Sequence, residues 1–197
     1  MKIILTGTPG TGKTSLAGEL GKLLHMPVID VNAVAKRSAV KKKEKIKGRK
    51  NGWHTEIIVD LKKLRSALAR EMKKKENANC VVEGHLACEV ALPASIVVVL
   101  RCDPFVLRSR LRKRFYPEKK ISENVLAEAL DYCLVKAEEN YGAGKVIQIN
   151  ATKGVSAMQL AARARVKKSD WVNWGKALAS FSRIKLSHLT STSLTGE

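Results

Sequence analysis

Apolar residues along this chain fall into two rhythms that take turns. Short runs at Lys2–Thr6, Pro27–Asp30, Asn79–Glu83, Ser95–Leu100 and Lys145–Ile149 have the length and the Val/Ile/Leu content of strands buried on both faces. Between them, apolar positions recur at helical spacing. After Lys13 these are Leu16, Leu20, Leu23 and Leu24; further on, Ile57, Leu61, Leu64, Leu68 and Met72 share one face. Pro104 opens a helix carrying Val106, Leu107 and Leu111, and Pro117 follows its end. A longer stripe of Val125, Ala129, Leu130, Cys133, Leu134, Ala137 and Tyr141 follows Ser122, which has the chemistry of an N-cap. The alternation predicts an α/β fold: a five-stranded parallel sheet with helices on both faces.

Two stretches break the rhythm. Lys41–Gly52 is polar and basic, with Gly48 and Asn51-Gly52, and reads as a mobile insertion. From Ser169 the positions Trp171, Trp174, Leu178 and Phe181 predict one more helix, and Ser187–Glu197 reads as disordered. The boundaries expected are a domain over residues 1–166 and a basic C-terminal extension over 167–197. No internal repeat is present.

Composition then narrows the classes. A chain of 197 residues suits one compact domain. No apolar run approaches the ~20 residues that span a bilayer. The single early Lys2 running straight into a strand does not read as a signal peptide. Cys80, Cys88, Cys102 and Cys133 are far apart, which favours free thiols and a cytoplasmic location. Net charge is the departure: 37 Lys and Arg against 18 Asp and Glu give +19. The cations come in blocks, at Lys36–Lys50, Lys62–Lys75, Arg108–Arg114 and again in the tail. Such clustering favours phosphate-rich polymers over a plain solvated surface.

The densest chemistry lies at the start. Gly7-Thr8-Pro9-Gly10-Thr11-Gly12-Lys13-Thr14 follows the run Ile3-Ile4-Leu5 and precedes a helical pattern. That context is what a phosphate-binding loop requires. Gly7, Gly10 and Gly12 let successive N–H groups face one concavity, and the helix after it adds its free donors. Lys13 is placed for the β- and γ-phosphates of a nucleoside triphosphate, Thr14 for Mg²⁺ and Ser15 for the α-phosphate. A plain Gly-rich turn has no need of the Lys-Thr pair.

Two more clusters fit that reading. Glu83-Gly84-His85 ends the strand Cys80-Val81-Val82, where an acid can hold a Mg²⁺-bound water and a His can orient an acceptor oxygen. Arg110-Leu111-Arg112-Lys113-Arg114 puts Arg110 and Arg114 on one helical face, where guanidinium groups can stabilise a phosphoryl group in transfer.

With these clusters in place the chain resembles the adenylate kinase isoenzyme 6 family of archaeal and eukaryotic adenylate kinase-like ATPases. The matching stretches are Leu5–Thr14, Glu83-Gly84-His85, Leu100-Arg101-Cys102-Asp103, Arg110–Arg114 and Tyr116–Ile121 with Glu123-Asn124. The resemblance runs over residues 2–150. It implies a P-loop NTPase of nucleoside monophosphate kinase type, with a monophosphate-binding segment near 30–53 and a short lid near 113–122. It further implies phosphoryl transfer from ATP to AMP, Mg²⁺-dependent ATP hydrolysis, and work in 16S rRNA processing with a small-subunit platform ribosomal protein. The family's acid-x-His motif falls on Glu83 and His85, and its lid arginine on Arg114. Its AMP-site arginine falls on Lys36, with Arg37 beside it. Three residues depart from the family pattern: Lys36 for that arginine, Phe115 for a glycine, and Glu83 for the Asp of eukaryotic members. Two other readings stay open. One is a small-molecule kinase with another acceptor; the other is an rRNA-binding assembly factor that uses ATP as a conformational switch. No Asn-Lys-x-Asp guanine-reading motif occurs.

Overall fold

In the computed structural model, residues 1–38, 41–47 and 53–180 are described, with backbone alone for 41–47 and 53–58. Five parallel strands form the centre: β1 (Lys2–Gly7), β2 (Val28–Asp30), β5 (Cys80–Glu83), β6 (Ile96–Arg101) and β7 (Val146–Asn150), in the order β2-β5-β1-β6-β7. These are the five strands read from the sequence, with ends shifted by a residue or so. Side chains alternate across the sheet and feed two cores. Ile4, Val82, Val97 and Val99 face α2 (Val31–Arg37), α3 (Leu61–Lys73) and α6 (Tyr132–Tyr141). Ile3, Leu5, Val81, Val98 and Leu100 face α1 (Lys13–Leu24) and α7 (Ala157–Arg165). A sheet covered on both faces has no polar side, which is why its strands are unbroken apolar runs. A third, smaller cluster packs Leu107 and Leu111 of α4 (Pro104–Lys113) on Ile121 and Val125 of α5 (Glu118–Ala129).

The structure corrects four expectations. Part of the Lys41–Gly52 stretch read as an insertion is strand. Lys41–Lys47 (β3) pairs antiparallel with Trp53–Val59 (β4), from Lys41↔Val59 to Lys47↔Trp53. The Asn51-Gly52 read as a loop signal is equally the signal of a hairpin connection; residues 48–52 themselves lie outside the described residues. Ile57 therefore belongs to β4 and not to the helical face. Asp60, whose Oδ1 accepts from the Lys63 N–H at 3.0 Å, starts α3 instead.

The single long helix after Ser122 is two helices, and Ser122 lies inside the first, which Pro117 caps. The break falls at Asp131, in a left-handed backbone conformation (φ 57°), where its carboxylate turns to Arg101. Finally, the C-terminal helix begins at residue 175 rather than near Ser169. Ser169 and Asp170 bind the open edge of β7 instead: Ser169 Oγ accepts from Gln148 N at 3.0 Å, Asp170 N donates to Gln148 O at 2.9 Å, and Asp170 Oδ2 accepts from Asn150 N at 2.9 Å. Phe181 and Ser187–Glu197 lie outside the described residues.

Arg101, at the end of β6, is 1% exposed and carries the heaviest polar load in the fold. Its Nε donates to Glu128 Oε1 at 2.9 Å and its Nη1 to Gln148 Oε1 at 2.8 Å. Its Nη2 serves the Glu128 carbonyl at 3.2 Å and the Asp131 carboxylate. Removing one partner of such a buried pair leaves the other charge stranded, at a cost of about 3–5 kcal/mol. Arg101→Ala should lower the unfolding free energy by that amount in urea titration. A loss near that of an ordinary surface substitution, below about 0.5 kcal/mol, would contradict the assignment.

Candidate functional site

Strand β1 ends at Gly7, and the loop must turn there against β6. A Cβ on Gly7 would stand 2.4 Å from the Leu100 carbonyl oxygen, at φ +135°. Gly10, at φ +96°, approaches Leu107 and Leu111 of α4 so closely that a Cβ would lie 2.8 Å from Leu107 Cδ1. Gly7 and Gly10 are therefore constrained by packing as well as by any ligand, while Gly12, at φ +101° with open space around it, is constrained by its backbone alone. Within the loop one carbonyl collects three donors. Thr8 O accepts from Thr11 N at 3.3 Å, Thr11 Oγ1 at 3.0 Å and Lys13 Nζ at 3.0 Å. Lys13 is buried, and that burial pulls its pKa below the ordinary lysine value.

Thr14, in the first turn of α1, donates from Oγ1 to Glu83 Oε1 at 3.2 Å. Glu83 ends β5, the neighbour of β1, so the sheet order brings this acid to the loop. Burial, and then the Asp30 carboxylate, push the Glu83 carboxyl above the ordinary range; Lys13 and the Thr14 hydroxyl pull it back. Asp30 is the register partner of Glu83 across β2 and β5, and its Oδ1 caps α2. His85 opens the short helical turn His85–Glu89, which Thr6 pins by donating from Oγ1 to the Gly84 carbonyl at 3.0 Å and the His85 carbonyl at 3.3 Å.

Beside the loop lies a cleft of about 200 Å³ bordered by Gly10, Gly12, Ser15, Arg110 and Arg114 among others. So the predicted Gly10, Gly12, Ser15 and Arg114 share one cavity; beside it Thr14 is hydrogen-bonded to Glu83, and Lys13 to the Thr8 carbonyl. Lys36 and Arg37 are not among that cavity's lining. They stand exposed on the last turn of α2, next to Ser38. Ser38 borders a separate cavity of about 350 Å³ with Lys62, Lys63, Ser66 and Arg70. Arg114 caps α4, and Phe115 after it takes a left-handed conformation (φ 56°) with its side chain 94% exposed.

The cleft also contains Arg110, read from the sequence on one helical face with Arg114, and residues that the sequence reading did not single out. Arg110 Nη2 donates to the carbonyls of Ala151 (3.2 Å) and Thr152 (2.8 Å), holding the loop after β7 against α4. Ala151, Gly154 and Val155 of that loop line the cleft. Glu19 lines it too, one helical turn beyond Ser15. The Ser15/Glu19 spacing was a usable signal; the loop after β7 was not, because only the strand order brings it near residues 10–15.

Thr14 and Glu83 bring hard oxygen donors together, with Asp30 on the neighbouring strand, which suits Mg²⁺ better than a soft metal. Among the described residues, no group of three or more His, Cys, Asp or Glu could hold a metal by itself. No helix among the described residues is long and apolar enough to cross a membrane.

A glycine-rich loop running from the central strand into a helix, with an acid of the neighbouring strand on that helix's first hydroxyl, defines a P-loop NTPase of the nucleoside monophosphate kinase type. Comparison with known proteins agrees. Residues 3–131 match a family model described as an AAA domain. A Methanosarcina barkeri protein named "Putative adenylate kinase" is 40% identical over 152 residues, covering 77% of this chain and 78% of that one. One of the same name from Methanocaldococcus jannaschii is 35% identical over 152 residues, covering 77% of each. Shikimate kinase from Bacteroides thetaiotaomicron has the same fold (TM-score 0.50, 18% identity, 84% of this chain and 95% of that chain). The chain belongs to the P-loop family that this AAA-domain model describes, together with these archaeal proteins.

Lys13 offers a test of the loop that needs no knowledge of the reaction. Lys13→Met removes a buried ammonium, so the ligand-free protein should gain about 1 kcal/mol in thermal or urea unfolding. The same change should weaken Mg-ATP binding about 100-fold in titration calorimetry. Retained affinity would show that the loop does not read phosphate through Lys13.

Proposed function

We propose that the protein transfers the γ-phosphoryl group of ATP to AMP, with water as a second acceptor. The observation that carries this reading is the phosphate loop whose Lys13 and Thr14 are already wired to Thr8 O and Glu83 Oε1. The relatives' name points to the acceptor. Phosphate oxygens arriving in the loop would take over the Lys13 ammonium from the Thr8 carbonyl. Thr14, and Glu83 through a water, would hold Mg²⁺, which when bound neutralises charge on the β- and γ-phosphates. Arg114, on the cavity shared with Gly10 and Gly12, would meet the charge that develops on the transferred group. Lys36 and Arg37 would hold the AMP phosphate. A Lys at that place gives a point charge where a guanidinium would give a bidentate pair, so AMP affinity should be modest. Residues near 30–53 would then be the monophosphate-binding segment and those near 113–122 a short lid.

The two acceptors differ chemically. AMP brings an oxygen that is already anionic, whereas an attacking water must lose a proton. His85, two residues past the strand-end acid, is our candidate for orienting and deprotonating that water. His85→Ala should therefore reduce ATP hydrolysis about 100-fold while leaving Mg-ATP binding and AMP-dependent ADP formation within about threefold. Equal losses in all three would sink this role. The activity as a whole is tested by product analysis: AMP added to ATP should give ADP faster than hydrolysis alone gives it.

A second reading has its own support. The net charge of +19 and the basic cavity between α2 and α3 favour a polyanion, and an rRNA-rich site during small-subunit maturation would supply one. In that setting a platform ribosomal protein would be the partner and ATP the switch. Affinity for a 16S rRNA fragment should then fall about 10³-fold or more between 50 and 200 mM salt. A shallow salt response, or turnover that RNA and the ribosomal protein leave unchanged while AMP accelerates it, favours the kinase alone.

A further inference from the structure

Glu128 lies behind the phosphate loop and is only 2% exposed. Its carboxylate accepts four hydrogen bonds. Oε2 takes one from Thr8 Oγ1 at 2.5 Å; Oε1 takes the others, from Arg101 Nε at 2.9 Å, Cys102 N at 3.0 Å and Trp174 Nε1 at 3.3 Å. Thr8 is the first spacer of the loop, and its carbonyl is the group that holds Lys13 Nζ. One buried residue thus joins the loop's ammonium to the carboxylate. Three of the four donors come from residues 3–131, the stretch the family model matches; Trp174 lies beyond it.

The C-terminal segment reaches Glu128 by a defined route. Ser169 and Asp170 bond the edge of β7, Arg163 Nη1 pairs with Asp170 Oδ2 at 2.6 Å, and Val172 and Ala177 are buried on either side of Trp174. Its neighbour Trp171 is 88% exposed, so the segment presents one indole inward and the other to solvent. An indole N–H can only donate, and Glu128 is its partner.

We propose that Trp174 is a positioning residue for the phosphate loop, making the C-terminal segment a brace that acts through Glu128 on Thr8. The indole N–H and Arg101 together hold Oε1, which leaves Oε2 fixed on the Thr8 hydroxyl and the loop backbone set for phosphate. A partner that drew the segment off β7 would release this brace and lower nucleotide affinity. The proposal rests on the reading that Gly7–Thr14 binds a nucleoside triphosphate.

Titration calorimetry with Mg-ATP on the full chain, Trp174→Phe, Thr8→Val and the double variant tests it, with thermal melting to confirm that each is folded. Phe keeps the ring and removes the donor. The expected result is an affinity about three- to tenfold weaker in Trp174→Phe, weaker again in Thr8→Val, and no further loss in the double variant. Additive losses, or a Trp174→Phe affinity equal to that of the parent chain, would overturn the brace and leave Trp174 a packing residue. An unmodified chain that fails to bind Mg-ATP overturns the nucleotide reading itself, and that outcome is seen before any variant is compared.

Discussion

Arg101 and Glu128 lose nearly all their water on folding, and the loop, the end of β6 and the α5–α6 junction are arranged around the need to replace it. An ion pair in such surroundings gains little by itself, because desolvation costs several kcal/mol per ion. It is tolerated when every remaining donor and acceptor finds a partner. Here they do. Arg101 is met by Gln148 from β7 and by Asp131 from the helix break; Glu128 is met by Thr8, Cys102 and Trp174. Satisfying one buried guanidinium therefore sets β6 against β7, splits what would have been a single helix, and anchors the phosphate loop from behind.

Within the loop, Lys13 donates to Thr8 O, and Thr14, which bears the first helical hydroxyl, to Glu83. On the proposed reading, incoming phosphate would exchange with these partners. Burial lowers the pKa of Lys13 and raises that of Glu83 for the same reason, since each charge is poorly hydrated. On the proposed reading, groups so placed would interact strongly with a polyanion and its cation.

The sheet was legible in the sequence because it is covered on both faces, so each strand is an unbroken apolar run of the right length. The phosphate loop was legible because its residues are consecutive. The helix break at Asp131 was not, because apolar spacing runs through it unchanged and the cause, Arg101, lies thirty residues earlier on another element. The β3–β4 hairpin hid behind its lysines: Lys41-Lys42-Lys43-Glu44-Lys45-Ile46-Lys47 has almost no apolar content to alternate. In the site, Asp30 beside Glu83 and the loop after β7 beside Arg110 follow from the order β2-β5-β1-β6-β7. Spacing along the chain carries no trace of such neighbours, which is also why Glu128, next to the stripe position Ala129, was not singled out.

The two halves of the site are built differently, and this bears on what the protein can accept. The nucleotide half consists of backbone turns, the ends of central strands and side chains held by buried partners. Such a site has little freedom to change its ligand. On the proposed reading the acceptor half would rest on Lys36 and Arg37, exposed on the last turn of a seven-residue helix, near the basic surface that α3 offers. Exposed lysines bind phosphate as mobile point charges and are screened by salt, so they discriminate poorly between a nucleotide monophosphate and the phosphates of an RNA strand. On the proposed reading, donor specificity would be fixed by the core and acceptor specificity left to a surface defined by charge. One fold would on that basis serve as a kinase toward AMP or as a nucleotide-dependent factor on RNA, with the balance set by which polyanion occupies the cavity beside α3.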